Sequence, residues 1–83
     1  MGKRIEWTPQ ARADVRRIDR ETALSLLEGL ADYVLNGHGD VQRLTDSDPP
    51  EFRLRLGDYR VRFYDFGETL QILRVLHRRE AYR

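Results

Sequence analysis

The chain has no cysteine among its 83 residues. That removes disulfides and thiolate-bound metals from the ways so small a domain could be reinforced. Its two histidines, His38 and His77, lie too far apart for a local metal motif, so neither a structural metal nor a cofactor is expected. No apolar run approaches the ~20 residues needed to cross a bilayer. Met1-Gly2-Lys3-Arg4 leads straight into an amphipathic pattern and not into a signal-peptide core, so the expectation is a cytoplasmic protein without membrane contact. Lysine is almost missing too: 14 of the 15 basic residues are arginine, and Lys3 is the exception. Repeats, linkers and low-complexity segments are lacking, which leaves one domain over residues 1–83. A chain this short buries a modest fraction of its surface, and its remaining sources of stability are good packing or a partner chain.

Charge is plentiful but uneven. Charged residues make up 35% of the chain and the net charge is only +1. Residues 1–50 hold seven basic and nine acidic residues, whereas residues 51–83 hold eight arginines and five acidic residues. The basic half contains the clearest pattern, E-F-R-L-R-L-G-D-Y-R-V-R-F-Y-D-F from Glu51 to Phe66. Phe52, Leu54 and Leu56 alternate with Arg53 and Arg55; past Gly57-Asp58, Val61 and Phe63 alternate with Arg60 and Arg62. A period of two around a two-residue gap containing glycine predicts a β-hairpin. Its register sets Leu54 against Val61 and Phe52 against Phe63, and on the other face Arg55 against Arg60 and Arg53 against Arg62. Like charges directly opposed across a ladder are destabilising, so four guanidinium groups on one face point to an anionic ligand, and their planar forks suit phosphate.

Elsewhere the chain reads as helix and strand in a definite order. Arg4–Thr8 alternates around Ile5 and Trp7 as a short strand. Thr8-Pro9 starts a helix, with Thr8 as cap and Pro9 in the first position. Ala11, Val15 and Ile18 form its apolar stripe, and Arg12, Asp14, Arg16 and Arg17 are expected to point elsewhere. Asp19 caps a second helix carrying Ala23, Leu24, Leu27, Leu30, Ala31 and Val34, and Gly37 closes it in the left-handed conformation. Residues 37–50 read as a turn-rich connector pinned by Val41 and Leu44. After the hairpin, Gly67-Glu68 makes a second turn and Leu70–His77 a third strand of this half. The fold class is therefore α+β, in the order β-α-α-β-β-β, with two N-terminal helices on one face of a mainly antiparallel four-stranded sheet. The last strand leaves two registers open. A plain two-residue loop puts Phe63 opposite Ile72 and Arg74 in the core; an odd-length loop or a bulge puts Leu73 and Val75 in the core and Arg74 beside the arginine face. The second is preferred because a buried unpaired arginine is expensive.

Leu44, the run Glu51–Phe63 with its R-L-R-L-G-D-Y-R-V, and the later H-R-R-E-A-Y of His77–Tyr82 together resemble the RelE/ParE toxin superfamily of bacterial toxin–antitoxin modules. The likeness covers nearly the whole chain. It implies a small metal-independent endoribonuclease that cuts mRNA in the ribosomal A site, the RNA's own 2′-hydroxyl attacking the neighbouring phosphate. Arg53 and Arg55 occupy positions where RelE carries two lysines. The exchange matters because a lysine can approach neutrality and act as a base, whereas an arginine cannot. Arg60 matches the family's arginine on the following strand, Arg78 the arginine after the last strand, and Tyr82 the C-terminal tyrosine. His77 sits where some relatives use a histidine as acid or base. The resemblance thus implies Arg53, Arg55, Arg60, His77, Arg78 and Tyr82 as catalytic residues; beside it, Arg62, Arg74 and Arg79 read as RNA contacts and Glu51 as a further candidate base.

Arg62 and Arg74 can be solvated strand residues, His77 strand-end filler, and Tyr82 a cap on the sheet. Tyr59 and Trp7 belong to the core, Arg16-Arg17 to a solvated helix face, and His38 to a loop. The resemblance also carries a second function, the ParE type, in which the same fold inhibits DNA gyrase by binding alone. Either toxin implies a cognate antitoxin, an acidic and partly disordered segment that folds as it wraps the basic face. The nuclease implies mRNA and the ribosome as further partners.

Overall fold

Thr8 joins the first strand to the first helix and shows how the two layers are tied. In the computed structural model, which describes residues 3–81, β1 (Arg4–Trp7) runs into α1 (Pro9–Arg16) through this residue. Its Oγ1 accepts from Ala11 N at 3.2 Å, capping the helix, and donates to the carbonyl of Ile72 at 2.8 Å. Asp19 caps α2 (Arg20–Asn36) by accepting from Thr22 N, and Gly37 ends it at φ 74°, where a side chain would be strained.

Downstream lie β2 (Asp40–Arg43), β3 (Glu51–Leu56), β4 (Tyr59–Asp65), β5 (Thr69–His77) and the short α3 (Arg78–Ala81). The sheet order is β1-β5-β4-β3-β2, with β1 parallel to β5 and the other pairs antiparallel. The expected α+β class and the two helices on one sheet face stand, but the sheet has five strands rather than four. The extra strand, β2, lies inside the segment read as a connector. It has one apolar residue, Val41, and is held as an edge by pairing with β3, where Val41 faces Leu54. α3 is likewise additional.

The hairpin register is the expected one: Leu54 faces Val61, Phe52 faces Phe63, Arg55 faces Arg60 and Arg53 faces Arg62. β4 and β5 combine the two registers weighed from the sequence. Phe63 does face Ile72, yet Arg62 faces Arg74, so Leu73 is an additional residue accommodated as a bulge. Val75 therefore joins the core and Arg74 leaves it, while Leu73 is only half-buried. The core consists of Leu54, Val61, Phe63, Leu70, Ile72 and Val75 from the sheet, under Ala11, Leu26 and Leu30 from the helices. Phe63 is fully buried between Phe52, stacked at 5.6 Å, and Tyr33, tilted at 5.8 Å, and burial of one such side chain stabilises by about 1.5–3 kcal/mol.

One expectation for α1 is overturned. Asp14, expected to point away from the apolar stripe, is 3% exposed. β1 pairs with β5 only as far as Ile72, and α1 takes over the rest of that edge. Asp14 Oδ2 accepts from Val75 N at 2.9 Å and from Arg74 Nε at 2.9 Å, and Oδ1 accepts from Arg74 Nη2 at 3.1 Å and Arg17 Nη2 at 3.2 Å. Burial pushes the Asp14 pKa up; the bonds from Arg74 and Val75 and the charges of Arg74 and Arg17 outweigh it and hold the carboxyl below the usual value. The Arg74 guanidinium is correspondingly raised, chiefly by its bond to Asp14.

Candidate nucleic-acid interface on the arginine face

Strand parity places Glu51, Arg53 and Arg55 of β3, Arg60 and Arg62 of β4, and Asp40 and Gln42 of β2 on the sheet face opposite the helices. Arg53, Arg55 and Arg60 line one concave pocket of about 180 Å³ together with Asp40 and Gln42. The site is thus built by three adjacent strands, of which β3 and β4 are fixed in the core by Leu54 and Val61, while β2 is held at the edge by its pairing with β3.

The arginines are not equivalent. Arg60 is 5% exposed; its Nη1 donates to the carbonyls of Gly57 at 3.0 Å and Tyr59 at 2.9 Å, so the turn backbone holds it in place. Arg53 Nη2 donates to Gln42 Oε1 at 2.9 Å. Arg55 is exposed and, among the described residues, has no hydrogen-bond or ion-pair partner. Arg62 is taken out of the cluster: its Nε donates to Glu51 Oε2 at 2.7 Å and its Nη2 reaches the same oxygen, with Glu51 itself buried. The expected ladder of four open guanidiniums is therefore three converging cations and one neutralised pair. Such a pocket can bind a phosphodiester through charge-assisted hydrogen bonds.

The remaining predicted residues are spread more widely. Arg74 faces Arg62 in register, but its guanidinium is committed to Asp14. His77 faces Tyr59, with the rings edge to face at 5.4 Å, on the helix side of the sheet. There it lines a separate cavity of about 500 Å³ with Thr22, Ser25 and Asp58. Its Nδ1 accepts from Arg79 N at 3.2 Å. The structure thus does not bring His77 together with the arginines. Arg78 and Arg79 are exposed on α3; Arg78 N donates to Asp58 O at 2.7 Å, and its Nε lies 3.7 Å from Asp58 Oδ1. Tyr82 lies outside the described residues. His38 stands 3.6 Å from Asp32 on the surface, just ahead of β2 in the chain, and does not line the pocket. Among the described residues, no three His, Asp or Glu side chains stand close enough to hold a metal ion, and no helix is long and apolar enough to cross a membrane.

Sequence reasoning missed two pocket residues, Asp40 and Gln42. The only signal was the alternation D-V-Q-R, too short and too polar to stand as a strand by itself. The partner of Arg62 was more accessible, since Glu51 shares the parity of Arg53 and Arg55.

Two helices on one face of a mixed sheet and an arginine-lined pocket on the other define a small α+β domain. The family model for the ParE toxin of the type II toxin–antitoxin system, parDE, matches residues 5–82, and the chain belongs to this ParE/RelE toxin family. Among solved structures it is similar to the archaeal RelE–RelB complex from Pyrococcus horikoshii OT3, with a TM-score of 0.77 at 22% identity over 96% of this chain and 99% of that one. The toxin–antitoxin complex RelBE2 from Mycobacterium tuberculosis gives 0.75 at 24% identity, over 93% and 99%. The chromosomal ParDE system from P. aeruginosa gives 0.63 at 21%, over 90% and 95%. At these identities the likeness is one of fold. No curated protein matches the chain.

Proposed function

We propose that this toxin is a metal-independent endoribonuclease that cleaves mRNA, most readily in the ribosomal A site, with the arginine pocket as its phosphate site. The observation that supports the reading is the convergence of Arg53, Arg55 and Arg60 on one concavity. In RNA cleavage the nucleophile comes from the substrate, so the protein must bind the scissile phosphate and stabilise the charge that grows on it. Arg60, fixed by the turn carbonyls, is pre-oriented for that task. Arg55, open to solvent, can close on the phosphate as it arrives. Arg78 and Arg79 on α3 extend the positive surface toward flanking nucleotides, Tyr82 is the candidate for stacking on a base or moving a proton, and His77 acts only if its strand end turns toward the RNA. The test is induced expression followed by mapping of mRNA 5′ ends. Cuts that require translation and vanish in Arg60→Ala and Arg55→Ala support the reading; intact mRNA overturns it.

A second reading is supported by the family description as a ParE toxin and by the chemistry of arginine, which grips anions without exchanging protons. In it the pocket binds DNA gyrase and the toxin does no RNA chemistry. Loss of supercoiling with intact mRNA is its expected signature. Under both readings the partner in the resting cell is a cognate antitoxin. The P. horikoshii, M. tuberculosis and P. aeruginosa relatives come from toxin–antitoxin systems, and a cationic pocket suits an acidic wrapping segment. Co-expression with the neighbouring gene and isolation of a stable complex tests this; no complex, and no relief of growth inhibition, overturns it.

A further inference from the structure

We propose that Asp40 is the proton acceptor of the cleavage reaction, an inference that rests on the nuclease reading. Transfer of the phosphate to the 2′-oxygen needs a group that takes the 2′-hydroxyl proton. Arginine cannot serve, because its guanidinium stays protonated. Among the described residues Asp40 is the carboxylate that lines the arginine pocket; Glu51 of β3 shares that face, and Glu6 of β1 stands on it too but at the far edge of the sheet. Glu51 is 8% exposed, and one of its oxygens accepts two bonds from Arg62, so it is spent on neutralising a cation. His77 stands on the other side of the sheet, opposite Tyr59. Lys3 is held by both oxygens of Asp65 at 3.1 and 2.9 Å.

Asp40 has the opposite character. It faces Arg55 across the β2–β3 ladder and lines the pocket with Arg53 and Arg60. Its side chain is exposed and, among the described residues, no hydrogen bond or ion pair holds its carboxylate. An open carboxylate at the rim of a phosphate-binding pocket is placed to reach the ribose joined to that phosphate. The step balances as follows. Asp40 takes the 2′-hydroxyl proton; the 2′-oxygen uses the freed electron pair to bond phosphorus; the bond from phosphorus to the 5′-oxygen breaks, and that oxygen leaves with its pair and is protonated by solvent water. Asp40 then returns its proton to solvent, so no net proton is consumed. Arg53, Arg55 and Arg60 hold the non-bridging oxygens while charge accumulates.

Pure charge balance would make the opposite prediction, because a carboxylate beside Arg55 that only offsets its charge weakens phosphate binding. Removing it would then tighten the complex and leave cleavage as fast or faster. The experiment compares wild type, Asp40→Asn and Asp40→Glu in two assays with purified toxin. The first is the single-turnover cleavage rate on ribosome-programmed mRNA. The second is the affinity for the same RNA carrying a 2′-O-methyl group at the scissile nucleotide, which can bind but not react. The expected result is a loss of about 100-fold in rate for Asp40→Asn, the order of a general-base contribution, with affinity for the blocked RNA undiminished, and partial recovery of rate in Asp40→Glu. Cleavage by Asp40→Asn at the wild-type rate overturns the assignment, as does a loss of rate matched by a loss of affinity. Failure of the wild-type protein to cut is a different failure: it removes the nuclease reading and this inference with it.

Discussion

Replacing Asp14 by Asn tests the account of how the sheet edge is closed, and its size can be worked from the contacts. The substitution keeps the shape and one acceptor oxygen, which can still take the Val75 N–H. It removes the charge that holds Arg74, whose side chain is 35% exposed against 3% for Asp14. A hydrogen bond to a charged group contributes about 1.5–3 kcal/mol. Two such bonds run to Arg74, discounted because one end of the pair meets solvent. The expected loss is about 2–3 kcal/mol at neutral pH, which in a domain of this size lowers Tm by roughly 10–20 °C. The pH dependence carries a definite sign. Asp14 has its pKa lowered in the folded state, so its contribution is fully present above the ordinary carboxylate value and is lost as pH falls through the folded value. Urea unfolding of wild type and Asp14→Asn should show a constant gap above about pH 5 and a gap that narrows as the medium becomes strongly acidic. A variant within about 0.5 kcal/mol of wild type at pH 7, the range of a neutral surface change, would refute this account of the β5 edge.

Arg74→Ala should repeat much of that stability loss yet leave the affinity for blocked RNA unchanged, because its guanidinium is tied to Asp14 and not to the pocket; fluorescence anisotropy on the folded variant checks this. Arg55→Ala should do the reverse, leaving Tm in place while weakening RNA binding and flattening its salt dependence by about 0.7 in log–log slope for one lost phosphate contact to a single strand. Gly37→Ala should cost about 1–2 kcal/mol, the strain of a left-handed residue with a Cβ, since φ is 74° there and no atom lies near enough to clash. Thr8→Ala should cost about 1–2 kcal/mol by calorimetry for the lost helix cap.

The hairpin was legible because its alternation and its two-residue turn both demand the same register, and a one-residue slip would turn Leu54 and Val61 to solvent. The caps Thr8, Asp19 and Gly37 were legible for a similar reason: each acts within a few residues of itself. What could not be seen depends on distant partners. β2 has one apolar residue and exists by pairing with β3. Asp14 looked like a surface residue because its partners, Arg74 and Val75, are about sixty positions away. The arginine pocket was half legible. Parity put Arg53, Arg55, Arg60 and Arg62 on one face, but not which of them would be neutralised, and the Glu51–Arg62 pair reduces the cluster to three. His77 shows how a single bulge matters. The residue inserted at Leu73 sets the parity of the strand end, and His77 emerges beside Tyr59 on the helix side.

The most direct test of the phosphate-site reading is the chemistry of the cut ends. Attack by the 2′-hydroxyl predicts upstream fragments ending in a 2′,3′-cyclic phosphate and downstream fragments beginning with a 5′-hydroxyl, both absent when Arg55 and Arg60 are replaced by alanine. Uncut message in growth-inhibited cells, or ends of any other chemistry, would contradict it.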